Sequence, residues 1–209
     1  DIEEFEKELQ IQKERSRNAA SQDIDDWQEV MAISESEFIG YDNLEANIRI
    51  ARYRRVKSKN NEVYQLVFDQ TPFYGNSGGQ IGDIGYIESA NEKIEIVATA
   101  KENGLIIHIA KRLPENTSAE FHAVVDAKAR QQAANNHTAT HLVDYALRTV
   151  LGTHVEQKGS MVTPQGLRFD FSHFQKVTDE EIREVERLVN RLVRANYPLV
   201  ENREATMAE

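Results

Sequence analysis

No cysteine occurs among the 209 residues. Its absence excludes disulfides and thiol catalysis from this stretch of chain, and removes the commonest non-histidine ligand of zinc. Long hydrophobic runs are lacking as well: no apolar stretch approaches the ~20 residues that span a bilayer, so no transmembrane helix and no membrane partner is expected. Asp1 to Glu8 are acidic, without an apolar centre or a cleavage-like site, so they do not read as a secretory signal and a cytoplasmic location is expected. An excess of positive charge is also missing. With 25 Lys and Arg against 35 Asp and Glu the net charge is −10, which opposes strong autonomous binding to nucleic acid, since neutralising phosphates takes clustered cations. The richest cluster, Arg49, Arg52, Arg54, Arg55, Lys57 and Lys59, could guide a strand or be the solvated face of a strand and turn.

What is present is ordinary for a globular protein: 40% hydrophobic and 29% charged residues, in a length that can bury a sizeable core. Ile2, Phe5 and Leu9 give a thin apolar stripe in a helix-forming stretch running to about Ala20. A polar break covers Ser21 to Asp26, and Trp27 to Ile33 reads as a short second helix. From about Ala46 to Val125 the pattern changes to short β-branched and aromatic runs: Ile48 to Val56, Val63 to Phe68, Gly85 to Glu88, Lys93 to Thr99, Leu105 to Ala110 and Ala119 to Val125. Such spacing predicts a small barrel or sandwich. Lys59-Asn60-Asn61 and Glu102-Asn103-Gly104 supply hairpin turns. Asp126 to about Leu151 reads as one long helix stopped by Gly152, followed by a hairpin over His154 to Val162 and Gly166 to Phe171. Thr178 and Glu181 form a capping box opening a helix to about Asn196, and Tyr197 to Glu201 reads as the start of a strand.

Three segments could carry chemistry. Asp69 to Asp83 (DQTPFYGNSGGQIGD) crowds four glycines between strands, a composition that permits positive φ and close approach of a ligand, or forms only a compact turn. No helix pattern follows and no G-K-[ST] ending is present, so it is neither a dinucleotide fingerprint nor a P-loop. His137 and His141 stand four apart in a helical stretch, on one face, as two ligands of one metal ion would; such pairs also arise by chance. Thr138 stands where a metalloprotease HExxH has its Glu, which disfavours peptidase chemistry. The third segment runs from His154-Val155-Glu156-Gln157-Lys158-Gly159-Ser160 to Arg168-Phe169-Asp170-Phe171-Ser172-His173, whose alternation also suits a half-buried strand.

In this order, TPFYGNSGGQIGD, NHTATHL, HVEQKGSMV and LRFDFSH closely resemble the editing domain of alanyl-tRNA synthetase, and more loosely the free-standing alanyl editing proteins and the threonyl-tRNA synthetase editing domain. The resemblance implies an α+β fold: a helical connector over 1–36, a β-barrel subdomain over 37–125, and over 126–209 an editing core that is a partial helix-on-antiparallel-sheet module. It implies hydrolysis of the ester joining serine or glycine to tRNA(Ala), within an ATP-dependent ligase whose activation site lies elsewhere. A pocket built for alanine cannot exclude glycine sterically and rejects serine poorly, hence a second hydrolytic site. By motif match, His137 and His141 are half of a zinc site, Gln157 is a pocket glutamine that orients water or the ester carbonyl, and Thr71 senses the seryl hydroxyl. Gly78, Gly79 and Gln80 would shape the pocket wall, with Lys158 and Arg168 on phosphate or the terminal adenosine. The expected partners are the acceptor end of tRNA(Ala) and other domains of the same synthetase. The family's second ligand pair, CxxxH, would fall beyond Glu209, so weak or absent zinc and impaired hydrolysis are expected; His122, His154 and His173 are not expected to substitute.

Overall fold

A computed structural model of the chain describes residues 23–58, 61–198 and 200. The helix expected from Ile2 to Ala20 and the turn at Lys59-Asn60 lie outside the described residues. The chain divides into two compact units, residues 1–130 and 131–209.

The first unit is built on a closed barrel of six antiparallel strands: β4 (Glu45–Ser58), β5 (Asn61–Phe68), β7 (Gly85–Glu88), β8 (Lys93–Glu102), β9 (Leu105–Ala110) and β10 (Glu120–Val125). Their order is β4-β10-β7-β8-β9-β5, with β5 pairing back onto β4. Each expected strand is present, and closure pairs the strand edges that an open sheet would expose. Alternation explains the burial: Ile48 and Ile50 of β4 are buried while Arg49 between them is exposed. A bulge at Ala51 then shifts the register, so that Arg52 rather than Ala51 opposes Val67. Inside lie Leu66, Phe68, Phe73, Ile87, Ile94, Ile96 and Phe121. Between β8 and β9, Asn103 and Gly104 both take positive φ (50° and 81°), as the short turn demands.

Two expectations fail in this unit. Trp27 to Ile33 is not helical; Gln28–Glu29 is a short strand, β2, pairing with β4, and the amides of Val30 and Met31 both donate to the Ala51 carbonyl. Trp27 lies under the guanidinium of Arg54, 4.3 Å from its ring centre, with Arg52 at 5.5 Å. These tertiary partners outweigh a weak helical pattern. The polar break before it also contains a strand, β1 (Asp23–Ile24), against the far end of β4.

The second unit contains most of helix α1 (Ala127–Leu151), the hairpin β11 (Glu156–Thr163) and β12 (Gly166–Ser172), and helix α2 (Asp179–Ala195). Gly152, at φ 117°, ends α1 as its sequence position suggested. Asn136 of α1 donates to the Thr163 carbonyl at 2.8 Å, and Thr163 Oγ1 accepts from the amides of Gln165 and Gly166. The capping box at α2 is complete: Thr178 Oγ1 accepts the Glu181 amide, and the Glu181 carboxylate accepts the Thr178 amide. The strand expected from Tyr197 is absent at Tyr197, Pro198 and Val200. Asn196 turns left-handed to end the helix, and Pro198 has no N–H to give a ladder.

Candidate functional site

In the first unit the glycine segment leaves the barrel at β6 (Gln70–Thr71), which pairs in parallel with β3 (Glu37–Phe38). Thr71 is fully buried, and its Oγ1 lies 2.7 Å from Nε2 of His108. His108 Nδ1 is 3.1 Å from the Leu66 carbonyl, which can only accept, so Nδ1 carries the proton and Nε2 accepts from the Thr71 hydroxyl. The same hydroxyl accepts from the Phe73 amide at 3.1 Å. Burial lowers the His108 pKa to about 3, and the Leu66 carbonyl opposes that only in part. The ring is therefore neutral, stacked 3.8 Å from Phe68.

Beyond Tyr74 the segment folds into a tight turn in which Ser77 and Gln80 exchange both backbone bonds. Gly78 and Gly79 sit at φ 59° and 79° between them, the left-handed pair that L side chains resist. Gln80 is buried. Gly82 permits a close approach: a Cβ there would lie 1.7 Å from the Thr99 carbonyl oxygen. The segment closes on Asp83, whose carboxylate accepts the Tyr74 amide at 2.7 Å and pairs with Arg130, from the first turn of α1. The Arg130 guanidinium also donates to the carbonyls of Gly40 (2.7 Å) and Pro72 (2.8 Å). One largely buried cation thus ties both ends of the loop.

In the second unit His137 and His141 stack on one face of α1, ring centres 5.3 Å apart and planes within 12°. Partial burial, and secondarily the charge of His141, lowers the His137 pKa, which favours the neutral imidazole that a metal requires. The pair thus fits half of a zinc site. Among the described residues no third His, Cys, Asp or Glu joins them in a metal-binding group, so no chemical step is assigned to zinc. His122 instead contacts Asn47 and Glu45, and His154 Nε2 bonds His173 Nδ1 at 2.8 Å.

Gln157 is exposed on β11 beside a bulge: Gln157 opposes Phe171 and Gly159 opposes Asp170, leaving Lys158 as the extra residue. Bulges commonly re-aim side chains at functional edges. The Gln157 amide donates to Ser160 Oγ at 3.1 Å, which leaves its carbonyl oxygen able to accept and one N–H to donate. Lys158 pairs with Glu156 (2.8 Å) and Arg168 with Asp170 (3.1 Å), so each cation balances a neighbouring carboxylate. Exposed pairs of this kind contribute only about 0–1 kcal/mol, so either cation can exchange its partner for a phosphate.

A family model described as tRNA synthetases class II (A) matches residues 1–132. The chain belongs to that family. Its whole length is similar to curated alanine–tRNA ligases: 56% identical to that of Bacteroides fragilis over 208 residues, covering 100% of this chain and 24% of the relative. The ligase of Parabacteroides distasonis is 54% identical over 209 residues (100% and 24%), and that of Flavobacterium psychrophilum 46% over 211 (96% and 24%). The chain spans about a quarter of the length of these relatives. No helix among the described residues is long and apolar enough to cross a membrane.

Within this synthetase chain the residues that sequence reasoning missed are His108 and Arg130. His108 sits in an apolar strand, where a lone histidine gives no functional signal, and Arg130 reads as a solvated helix residue. Only a search for partners of the buried Thr71 and Asp83 would have found them.

Proposed function

We propose that the chain is the editing part of an alanine–tRNA ligase, hydrolysing the ester of tRNA(Ala) mischarged with serine or glycine. Supporting this are the four ordered motifs, the 56% identity to alanine–tRNA ligases, and above all the pair His137 and His141 stacked on one face of α1, with Gln157 offered at the bulge of the hairpin that follows. In this reading 1–36 connects the editing region to the rest of the synthetase, 37–125 is the barrel subdomain and 126–209 a partial editing core. Gln157 orients the attacking water or the ester carbonyl, an assignment that suits its uncommitted carbonyl oxygen. Thr71, expected to sense the seryl hydroxyl directly, keeps its own hydroxyl buried against His108 and the Phe73 amide, so it would act through the loop it anchors, whose Gly78, Gly79 and Gln80 would line the seryl pocket. Lys158 and Arg168 take phosphate or the terminal adenosine. His137 and His141 would hold zinc together with ligands from outside the described residues; zinc would supply Lewis-acid or orienting chemistry when bound.

Deacylation of serine-charged tRNA(Ala), measured with wild type and Gln157→Ala, tests the assignment. Hydrolysis that falls by about 10²–10³ in the variant is the expected result. A second reading is a module that binds the tRNA acceptor end without catalysis, in keeping with a histidine pair that no third ligand joins among the described residues. Retention of charged tRNA with no hydrolysis above background in either protein would select it.

A further inference from the structure

Phe38, Tyr41 and Tyr74 come from separate local features, yet their rings converge beside the glycine turn. Phe38 lies on β3, and Gly40 two residues later has no room for a side chain, since a Cβ would meet the Pro72 carbonyl at 2.2 Å and the Phe38 ring at 2.5 Å. The chain then turns sharply, with the Ile39 carbonyl accepting the amides of Asp42 and Asn43, and this places Tyr41 at the tip, 68% exposed. Its ring meets Phe38 edge-on at 5.0 Å. Tyr74 is fixed at both ends: its amide donates to Asp83 and its hydroxyl to the Ser77 carbonyl, leaving its ring 6.0 Å from Phe38.

Together with Gly75, Ser77 and Lys101 these rings line an open hollow of about 90 Å³. That is far below the ~300 Å³ at which pockets for whole drug-sized ligands begin, and suits a single flat ring entering from solvent. Lys101, near the end of β8, is exposed. An aromatic hollow alone would equally suit a quaternary ammonium ion, but a lysine at the rim repels one and favours an anion. A flat, neutral base joined through its sugar to a phosphate, as in a nucleotide, meets both demands.

We propose that this hollow is a subsite for one unpaired nucleobase of single-stranded RNA, stacked on Tyr41, with Lys101 on the adjoining phosphate. The proposal rests on the reading that the chain acts on charged tRNA, and it places one base of the strand next to the Ser77–Gln80 turn. Base stacking on exposed aromatics beside a cation is a general mode of single-strand binding, and one local cation suffices despite the net charge of −10.

The test is binding of a fluorescein-labelled single-stranded RNA tetranucleotide to the 209-residue chain by anisotropy at low salt, with Tyr41→Ala, Tyr41→Trp and Lys101→Ala. Both positions are exposed, and circular dichroism verifies that the variants keep the fold. Tyr41→Ala should weaken binding about tenfold, Tyr41→Trp should retain it, and Lys101→Ala should reduce the slope of log affinity against log salt by about 0.7. Equal affinity of Tyr41→Ala and wild type, or no wild-type binding, overturns the subsite. Deacylation of serine-charged tRNA(Ala) is measured in parallel. Hydrolysis with Tyr41-independent RNA binding sinks only the subsite; Tyr41-dependent binding without hydrolysis supports the subsite and sinks the editing assignment.

Discussion

The Thr71 hydroxyl donates to Nε2 of a fully buried, neutral His108 2.7 Å away, and so joins the mouth of the glycine loop to the middle of the barrel. Thr71→Val keeps the shape but leaves His108 Nε2 and the Phe73 amide without their partner. Urea unfolding should show a loss of about 1–3 kcal/mol. Thr71→Val combined with His108→Phe removes both ends of the bond and should cost less than the two changes summed.

Burial gives the same histidine a pH signature. Its folded-state pKa is lowered to about 3, below the ordinary value of 6.5, so between those values the unfolded chain binds one more proton than the folded one. Its contribution to stability is fully present above pH about 6.5 and is lost as pH falls toward 3, at up to ~1.4 kcal/mol per pH unit. Denaturation midpoints collected across that range should fall with acid in wild type, and the His108-dependent part of the slope should vanish in His108→Phe.

Arg130 and Asp83 make the one ion pair among the described residues in which both side chains are largely buried, 15% and 5% exposed. Arg130→Met strands the Asp83 carboxylate and two carbonyls, and should cost about 3–5 kcal/mol. Arg130→Lys should recover only part of this, because an ammonium cannot span Asp83, Gly40 and Pro72 as the planar fork does. Thermal unfolding of the three proteins, with Asp83→Asn to close a mutant cycle, checks both.

For the helix pair, His141→Ala removes the smaller of the two causes that lower the His137 pKa and leaves burial in place. NMR titration should show His137 rising toward, yet staying below, its ordinary value. Zinc titration of the same two proteins should show any affinity of the wild type reduced in His141→Ala, and lost in both as acid protonates the imidazoles.

At the start of α2, Thr178→Ala should destabilise by about 0.5–2 kcal/mol through loss of the cap. Glu181 is held below the usual carboxylate range, chiefly by accepting the Thr178 amide. The cap's contribution is therefore present above the ordinary carboxylate pKa and lost as pH falls through the lowered one. Helicity by circular dichroism should drop at higher pH in Thr178→Ala than in wild type.

The sequence alone determined whatever depends on near neighbours. Alternating β-branched runs marked all six barrel strands, Asn103-Gly104 marked a hairpin because few residues accept positive φ, and Thr178 with Glu181 marked a helix start because they bond across three residues. The spacing of His137 and His141 fixed their shared face through helix geometry. Tertiary structure decided what depends on distant partners. Thr71 finds His108 37 positions away and Asp83 finds Arg130 47 away, while Trp27 leaves its weak helical pattern for β4 and the cations of Arg52 and Arg54. Local periodicity carries no information about such pairs, because burial, which makes an unmatched hydroxyl or charge costly, exists only once the barrel has closed.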